Sequence, residues 1–140
     1  MIVVDTNVLV AALIQRGIVR ELVLRHPGAF MTSEACIAEI WEHRREWNRR
    51  GLPDGVLKES VDALTLDLIS VVPRSAYAHA EAKATSLTPD PDDAPIVALA
   101  LAVDNEGVWT FNTKDFSDPR LASRTRVLTT SDVQRILSGR

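Results

Sequence analysis

Short apolar runs alternate along this chain with longer stretches of helical periodicity. Ile2-Val3-Val4 reads as a short buried strand, and Val8, Leu9, Ala12 and Leu13 follow at helical spacing until Gly17. Ile18 to His26 is a second helical stretch closed by Pro27-Gly28, and Ala29-Phe30-Met31 a second strand. With Thr32 or Ser33 as cap, the pattern predicts one helix from Glu34 to about Arg50, its apolar side carried by Ile37, Ile40, Trp41 and Trp47, stopped by Gly51-Leu52-Pro53. Asp54 to Leu68 is again helical, and Ile69 to Val72 before Pro73 is a strand. Ser75 to Leu87 reads as helix, Thr88 to Asp92 as loop, and Asp93 stands at the N-cap of a helix with Pro95 in its first turn, running to about Val103. Gly107 leads into the strand Val108-Trp109-Thr110. A loop with a short helical turn follows, then the strand Arg126-Val127-Leu128 and a closing helix through Leu137, capped by Thr130 or Ser131.

Such short buried strands, separated by helices, imply an α/β fold: a mainly parallel sheet of four or five strands, covered on both faces and built by right-handed crossovers. The 140 residues suit one domain spanning 1–140, with 46% hydrophobic and 25% charged residues, a globular balance. No apolar run approaches the ~20 residues that cross a bilayer, and a cytoplasmic protein is expected. Cys36, the single cysteine, falls in a helical pattern, reads as core and suits a reducing compartment. A formal net charge of −3 argues against a protein that binds nucleic acid through overall positive charge; any such partner needs a local basic patch.

Ligands of open α/β sheets gather beyond the carboxyl ends of the strands. Asp5 follows the first strand, Asn112 and Asp115 follow Val108-Trp109-Thr110, and Asp93 begins the helix that leads into that strand. Each has a plainer reading. Asp5-Thr6-Asn7 and Asp93 can cap helices, Asp90 and Asp92 can be turn residues, Asp115 a solvated charge and Glu39 an exposed helix residue. As a set they require more: two carboxylates ~4 Å apart repel by ~4 kcal/mol at an effective dielectric of about 20, so a cluster needs a shared proton or a cation. Oxygen ligands without a His or Cys set point to Mg²⁺ or Mn²⁺ rather than zinc; His26, His43 and His79 have no ligand spacing.

Four segments in order resemble the motifs of the PIN-domain ribonucleases, a family that includes the VapC-type toxins of toxin–antitoxin pairs. Val3-Val4-Asp5-Thr6-Asn7-Val8-Leu9-Val10 looks like the first and Thr32 to Ile40 like the second, matching its glutamate at Glu39. Asp90 to Ala100 resembles the third, with its aspartate at Asp93, and Trp109 to Phe116 the fourth, where many members have Asp in place of Asn112. The resemblance implies a PIN-like three-layer α/β/α sandwich and a metal-dependent endoribonuclease. Asp5 and Asp93 would be its principal metal ligands, Glu39 would orient or deprotonate water or hold a second metal, and Asp115 would complete the acidic ring. Thr6, Thr110 and Asn112 would be supporting groups.

RNA then needs basic residues at the rim. Arg44, Arg45, Arg49 and Arg50 are the candidates, although Glu42 and Glu46 among them equally fit a mixed, salt-bridged helix face; Arg120, Arg124 and Arg126 form a weaker cluster. Trp41, Trp47 and Trp109 are available for stacking, with Trp41 read as core. The family suggests a homodimer and a small antitoxin partner. An alternative is a PIN-fold RNA- or protein-binding module with little or no nuclease activity, to which Asn112 points. A dehalogenase-like phosphatase needs a second Asp where Asn7 stands, and a receiver domain needs an Asp that Val71-Val72-Pro73 does not offer.

Overall fold

The computed structural model describes residues 1–140. Its centre is β1 (Ile2–Val4), buried throughout, with β2 (Phe30–Ser33) on one side and β4 (Val108–Trp109) on the other. β3 (Ile69–Val72) and β5 (Val127–Leu128) form the edges, giving a five-stranded sheet in the order β3-β2-β1-β4-β5. Every pairing is parallel. The expected mainly parallel sheet is therefore five-stranded and wholly parallel.

This order carries the chain outward from β1 to β3, then back across to β4 and β5. Right-handed crossovers place the helices of the two directions on opposite faces. On one lie α1 (Thr6–Ile14), α2 (Ile18–Arg25) and α5 (Asp54–Asp67), with α1 packed on α2 and α5. On the other, α6 (Glu81–Thr85) packs on α7 (Ala94–Ala102), which covers β1 and β2. Residues Ile96 to Ala100 of α7 are all buried, which explains a helix apolar on every side. A cluster of 33 buried residues joins both faces through the sheet. The fold is thus a three-layer α/β/α sandwich, the architecture that the resemblance implies. No helix is long and apolar enough to cross a membrane.

Several boundaries differ from the sequence reading for identifiable reasons. The helix expected from Glu34 to about Arg50 is two, α3 (Glu34–Glu42) and α4 (Arg44–Arg49), with the turn at His43. The Trp47 indole N–H donates to the Ile40 carbonyl (3.0 Å), the acceptor a continuous helix would give to the backbone of residue 44. Trp47 thereby folds back onto the core. Ser75 to Leu87 tightens into 3₁₀ turns at Arg74–Ala76 and Ala78–Ala80 before α6, and this turns Tyr77, Ala80 and Ala84 inward together. After the short α8 (Pro119–Ala122), the closing helix α9 (Thr130–Ser138) is capped by Thr129 rather than Thr130 or Ser131. Asp132 completes a reciprocal capping box.

Two contacts hold the elements that present the site. The Arg20 guanidinium donates to the carbonyls of Ala12 and Leu13 (both 2.8 Å), satisfying the end of α1 that lacks a glycine cap. Gly107, at φ +137°, lets the chain enter β4 against its neighbour: a Cβ there would lie 2.8 Å from Leu128 Cγ and 2.9 Å from the Arg126 carbonyl oxygen.

Candidate metal centre

The chain reverses direction across the sheet between β1 and β4, and a crevice opens at their carboxyl ends. Val4 is in register with Trp109, so Asp5 and Thr110 emerge side by side. The Thr110 hydroxyl donates to Asp5 Oδ2 (2.8 Å) and the Thr6 backbone N–H to Asp5 Oδ1 (2.8 Å). Asp5 both caps α1 and lines the crevice. Its carbonyl accepts the first bonds of α1 from the N–H groups of Val8 and Leu9 (3.1 Å each). Its side chain takes the N1 amide instead of the usual N2 or N3, which keeps the carboxylate turned toward Thr110. Burial raises the Asp5 pKa against the lowering effect of its two donors, and Asp115 and Asp90 add to the rise.

Glu39 reaches the same crevice from α3. Cys36 and Ile40 hold that helix in the core, leaving Glu39 half-buried on the flank facing α1. There the Thr6 hydroxyl donates to Glu39 Oε2 (2.8 Å), so Thr6 links two acidic residues, by its amide to Asp5 and by its hydroxyl to Glu39. Desolvation raises the Glu39 pKa, with Asp5 and Asp92 adding repulsion and Thr6 opposing.

The tightest acidic group is formed by Asp90, Asp93 and Asp115, which offer carboxylate oxygens within 4.8 Å of one another. Asp90 and Asp93 belong to a 3₁₀ turn over Pro91–Asp93, closed by the Asp93 N–H on the Asp90 carbonyl (3.0 Å). Three residues per turn bring positions i and i+3 to one side, so Asp90 and Asp93 face the crevice together. Asp90 also receives the Asp92 N–H (2.9 Å), acting as the expected turn residue while contributing its charge. Asp93 occupies the N-cap position of α7 but makes no capping bond, and its Oδ2 is buried with no hydrogen-bond partner. Desolvation, then Asp5, Asp90 and Asp115, push its pKa up to about 7. A buried carboxylate oxygen without a donor, faced by further carboxylates, is the arrangement that a divalent cation relieves, and an all-oxygen donor set suits Mg²⁺ or Mn²⁺.

At the fourth corner, Asn112 Nδ2 donates to Asp115 Oδ2 (2.5 Å), and the Asn112 N–H donates to Thr110 Oγ1 (3.1 Å). The Asn112 amide thus holds the Asp115 carboxylate. The sequence profile of the PIN domain matches residues 3–133. The chain belongs to the PIN-domain family. Among solved structures, a chain of a toxin–antitoxin complex from Klebsiella pneumoniae aligns with a TM-score of 0.66 at 19% identity, over 93% of this chain and 98% of that one. No curated protein sequence matches.

In this PIN domain, Asp5, Thr6, Glu39, Asp93, Thr110, Asn112 and Asp115 all gather at the one crevice. The acidic cleft has a volume of about 380 Å³ and reaches along α4 to Trp47 and Arg50. The four arginines divide. Arg50 lines the cleft; Arg44 pairs with Asp54 (3.9 Å) and lies with Arg45 and Arg49 on a separate polar face. Trp109 is fully buried, with its indole N–H on Thr130 Oγ1 (3.1 Å), and is no stacking surface. Asp90, which reads along the chain as a turn residue, belongs to the same acidic group. Its spacing of three from Asp93, within a Pro-containing turn, was the available signal.

Proposed function

We propose that this PIN domain is a divalent-metal-dependent endoribonuclease that hydrolyses RNA phosphodiester bonds. The observation that carries the reading is Asp93: its unpartnered buried oxygen and raised pKa, among Asp5, Asp90 and Asp115, call for a cation at that point. Asp5 and Asp93 would hold the principal Mg²⁺ or Mn²⁺, with Asp115, steadied by Asn112, completing the ring. Bound there, the ion would supply charge stabilisation at the scissile phosphate and lower the pKa of a water. Glu39 has one oxygen fixed by Thr6 and a pKa shifted toward neutrality, the properties of a base that takes a proton from attacking water. Arg50, at the cleft wall, would hold a phosphate of the substrate, with Arg44, Arg45 and Arg49 adding a weaker attraction.

A non-catalytic binding module gains no support from Asn112, because the crevice keeps its carboxylates and Asn112 serves Asp115. The role of toxin in a toxin–antitoxin pair is supported by membership of the PIN family and by the fold shared with a chain of a toxin–antitoxin complex. Exposed Ile18 and Leu24 on α2, and Val56 and Leu66 on α5, are apolar surface suited to a small antitoxin or to a second copy in a homodimer. Purified protein should cleave single-stranded RNA with Mg²⁺ or Mn²⁺ and not with EDTA, and Asp5→Asn or Asp93→Asn should remove cleavage. Retention of cleavage by both variants would place the chemistry elsewhere.

A further inference from the structure

The acidic cleft continues past its carboxylates. Asn7, Val10 and Arg50 line it and also line an adjoining groove of about 230 Å³, with Ile14 and Val19 among its apolar wall and Phe111 at its edge. Phe111 is 50% exposed and is the one exposed residue among the phenylalanines, tyrosine and tryptophans. Its place relative to the crevice is fixed: it follows Thr110, which holds Asp5, and its own N–H donates to Asn7 Oδ1 (3.4 Å), two residues beyond Asp5. Arg50 is the only cationic side chain that lines both compartments, and no ion pair or side-chain hydrogen bond of the structure engages it. A half-exposed aromatic ring and an uncommitted guanidinium, in a groove that adjoins the acidic cleft, match the two halves of a nucleotide: a flat base and an anion.

We propose that Phe111 and Arg50 form a nucleotide subsite beside the scissile phosphate, in which a base of single-stranded RNA stacks on Phe111 and a neighbouring phosphate pairs with Arg50. This rests on the ribonuclease reading above. Continuity with the acidic cleft and the charge of Arg50 favour RNA over a polypeptide as the occupant.

The test uses the full chain and a labelled single-stranded RNA oligonucleotide, with abasic residues introduced one at a time on either side of the cut. Binding is read by fluorescence anisotropy in EDTA and cleavage in Mg²⁺. Phe111→Ala, at an exposed position, should keep the melting temperature but weaken binding and raise KM about tenfold, with kcat within about twofold. Phe111→Tyr should restore both. One abasic position should cost the wild type the same factor and cost Phe111→Ala nothing further, and Arg50→Ala should flatten the salt dependence of binding by about one ion. Unchanged affinity in Phe111→Ala, or an abasic penalty undiminished in that variant, overturns the subsite. So does loss of a protein partner in Phe111→Ala with RNA binding intact. RNA binding that depends on Phe111 without cleavage would leave the subsite standing and remove the nuclease reading; a wild type that neither binds nor cuts RNA removes both.

Discussion

Neutralising Asp93 should stabilise the metal-free protein while disabling its site. The carboxyl is half-buried, ordinarily titrates at 3.8 and is raised to about 7 by desolvation and by Asp5, Asp90 and Asp115. The folded state therefore holds its proton more tightly than the unfolded chain. Its penalty is absent well below 3.8, grows as pH rises toward 7, and is complete above that. At 1.36 kcal/mol per pH unit, the interval corresponds to an upper bound of about 4 kcal/mol. Solvent reaching the exposed half screens it to about 1–2 kcal/mol. Asp93→Asn keeps the shape, removes the charge and adds an amide that can donate to Asp90 or Asp115. In EDTA at about pH 8 its melting temperature should exceed that of wild type by about 3–8 °C. The gain should shrink steadily toward pH 4, and saturating Mg²⁺ should cancel or reverse it, because only wild type gains the ion. Scanning calorimetry across that range is the assay. A variant less stable than wild type at pH 8 in EDTA, or a gain independent of pH, would refute the reasoning.

Asn112→Ala removes the donor that holds Asp115, and should raise the Mg²⁺ concentration needed for half-maximal RNA cleavage about tenfold while leaving the melting temperature unchanged. A metal requirement equal to wild type would show that Asp115 needs no orientation. Gly107→Ala forces a Cβ to 2.8 Å from Leu128 Cγ at a positive φ, and should cost about 2–4 kcal/mol in urea unfolding, whereas Gly55→Ala, with open space around it, should cost far less. Because burial and carboxylate repulsion raise the Glu39 pKa, cleavage should increase with pH through the acid limb of its profile, and Glu39→Gln should flatten that limb.

The sheet was largely legible because its three central strands are buried on both faces and read as apolar runs: Ile2-Val3-Val4 and Val108-Trp109 announce themselves. The break at His43 was not, since it depends on Trp47 reaching the Ile40 carbonyl, a tertiary contact that periodicity cannot express. Asp5 could be placed from its position after a strand. Glu39 could not be placed from its helix alone, because what turns it from an exposed glutamate into a cleft residue is a hydroxyl from Thr6, distant in sequence. The contact between the Asn112 amide and the Asp115 carboxylate is one that their spacing along the chain does not reveal. Asp90 was hidden for a local reason: a turn residue satisfying Asp92 also faces the crevice once the turn tightens to three residues.

The central claim, that this crevice holds the ion on which RNA cleavage depends, is tested most directly by the anomalous scattering of Mn²⁺ in crystals of the wild-type protein. The expected result is a peak in contact with the Asp93 carboxylate and bordered by Asp5 or Asp115, absent from Asp93→Asn crystals grown and soaked identically. A crevice without a peak at saturating Mn²⁺, or the same peak persisting in Asp93→Asn, would contradict it.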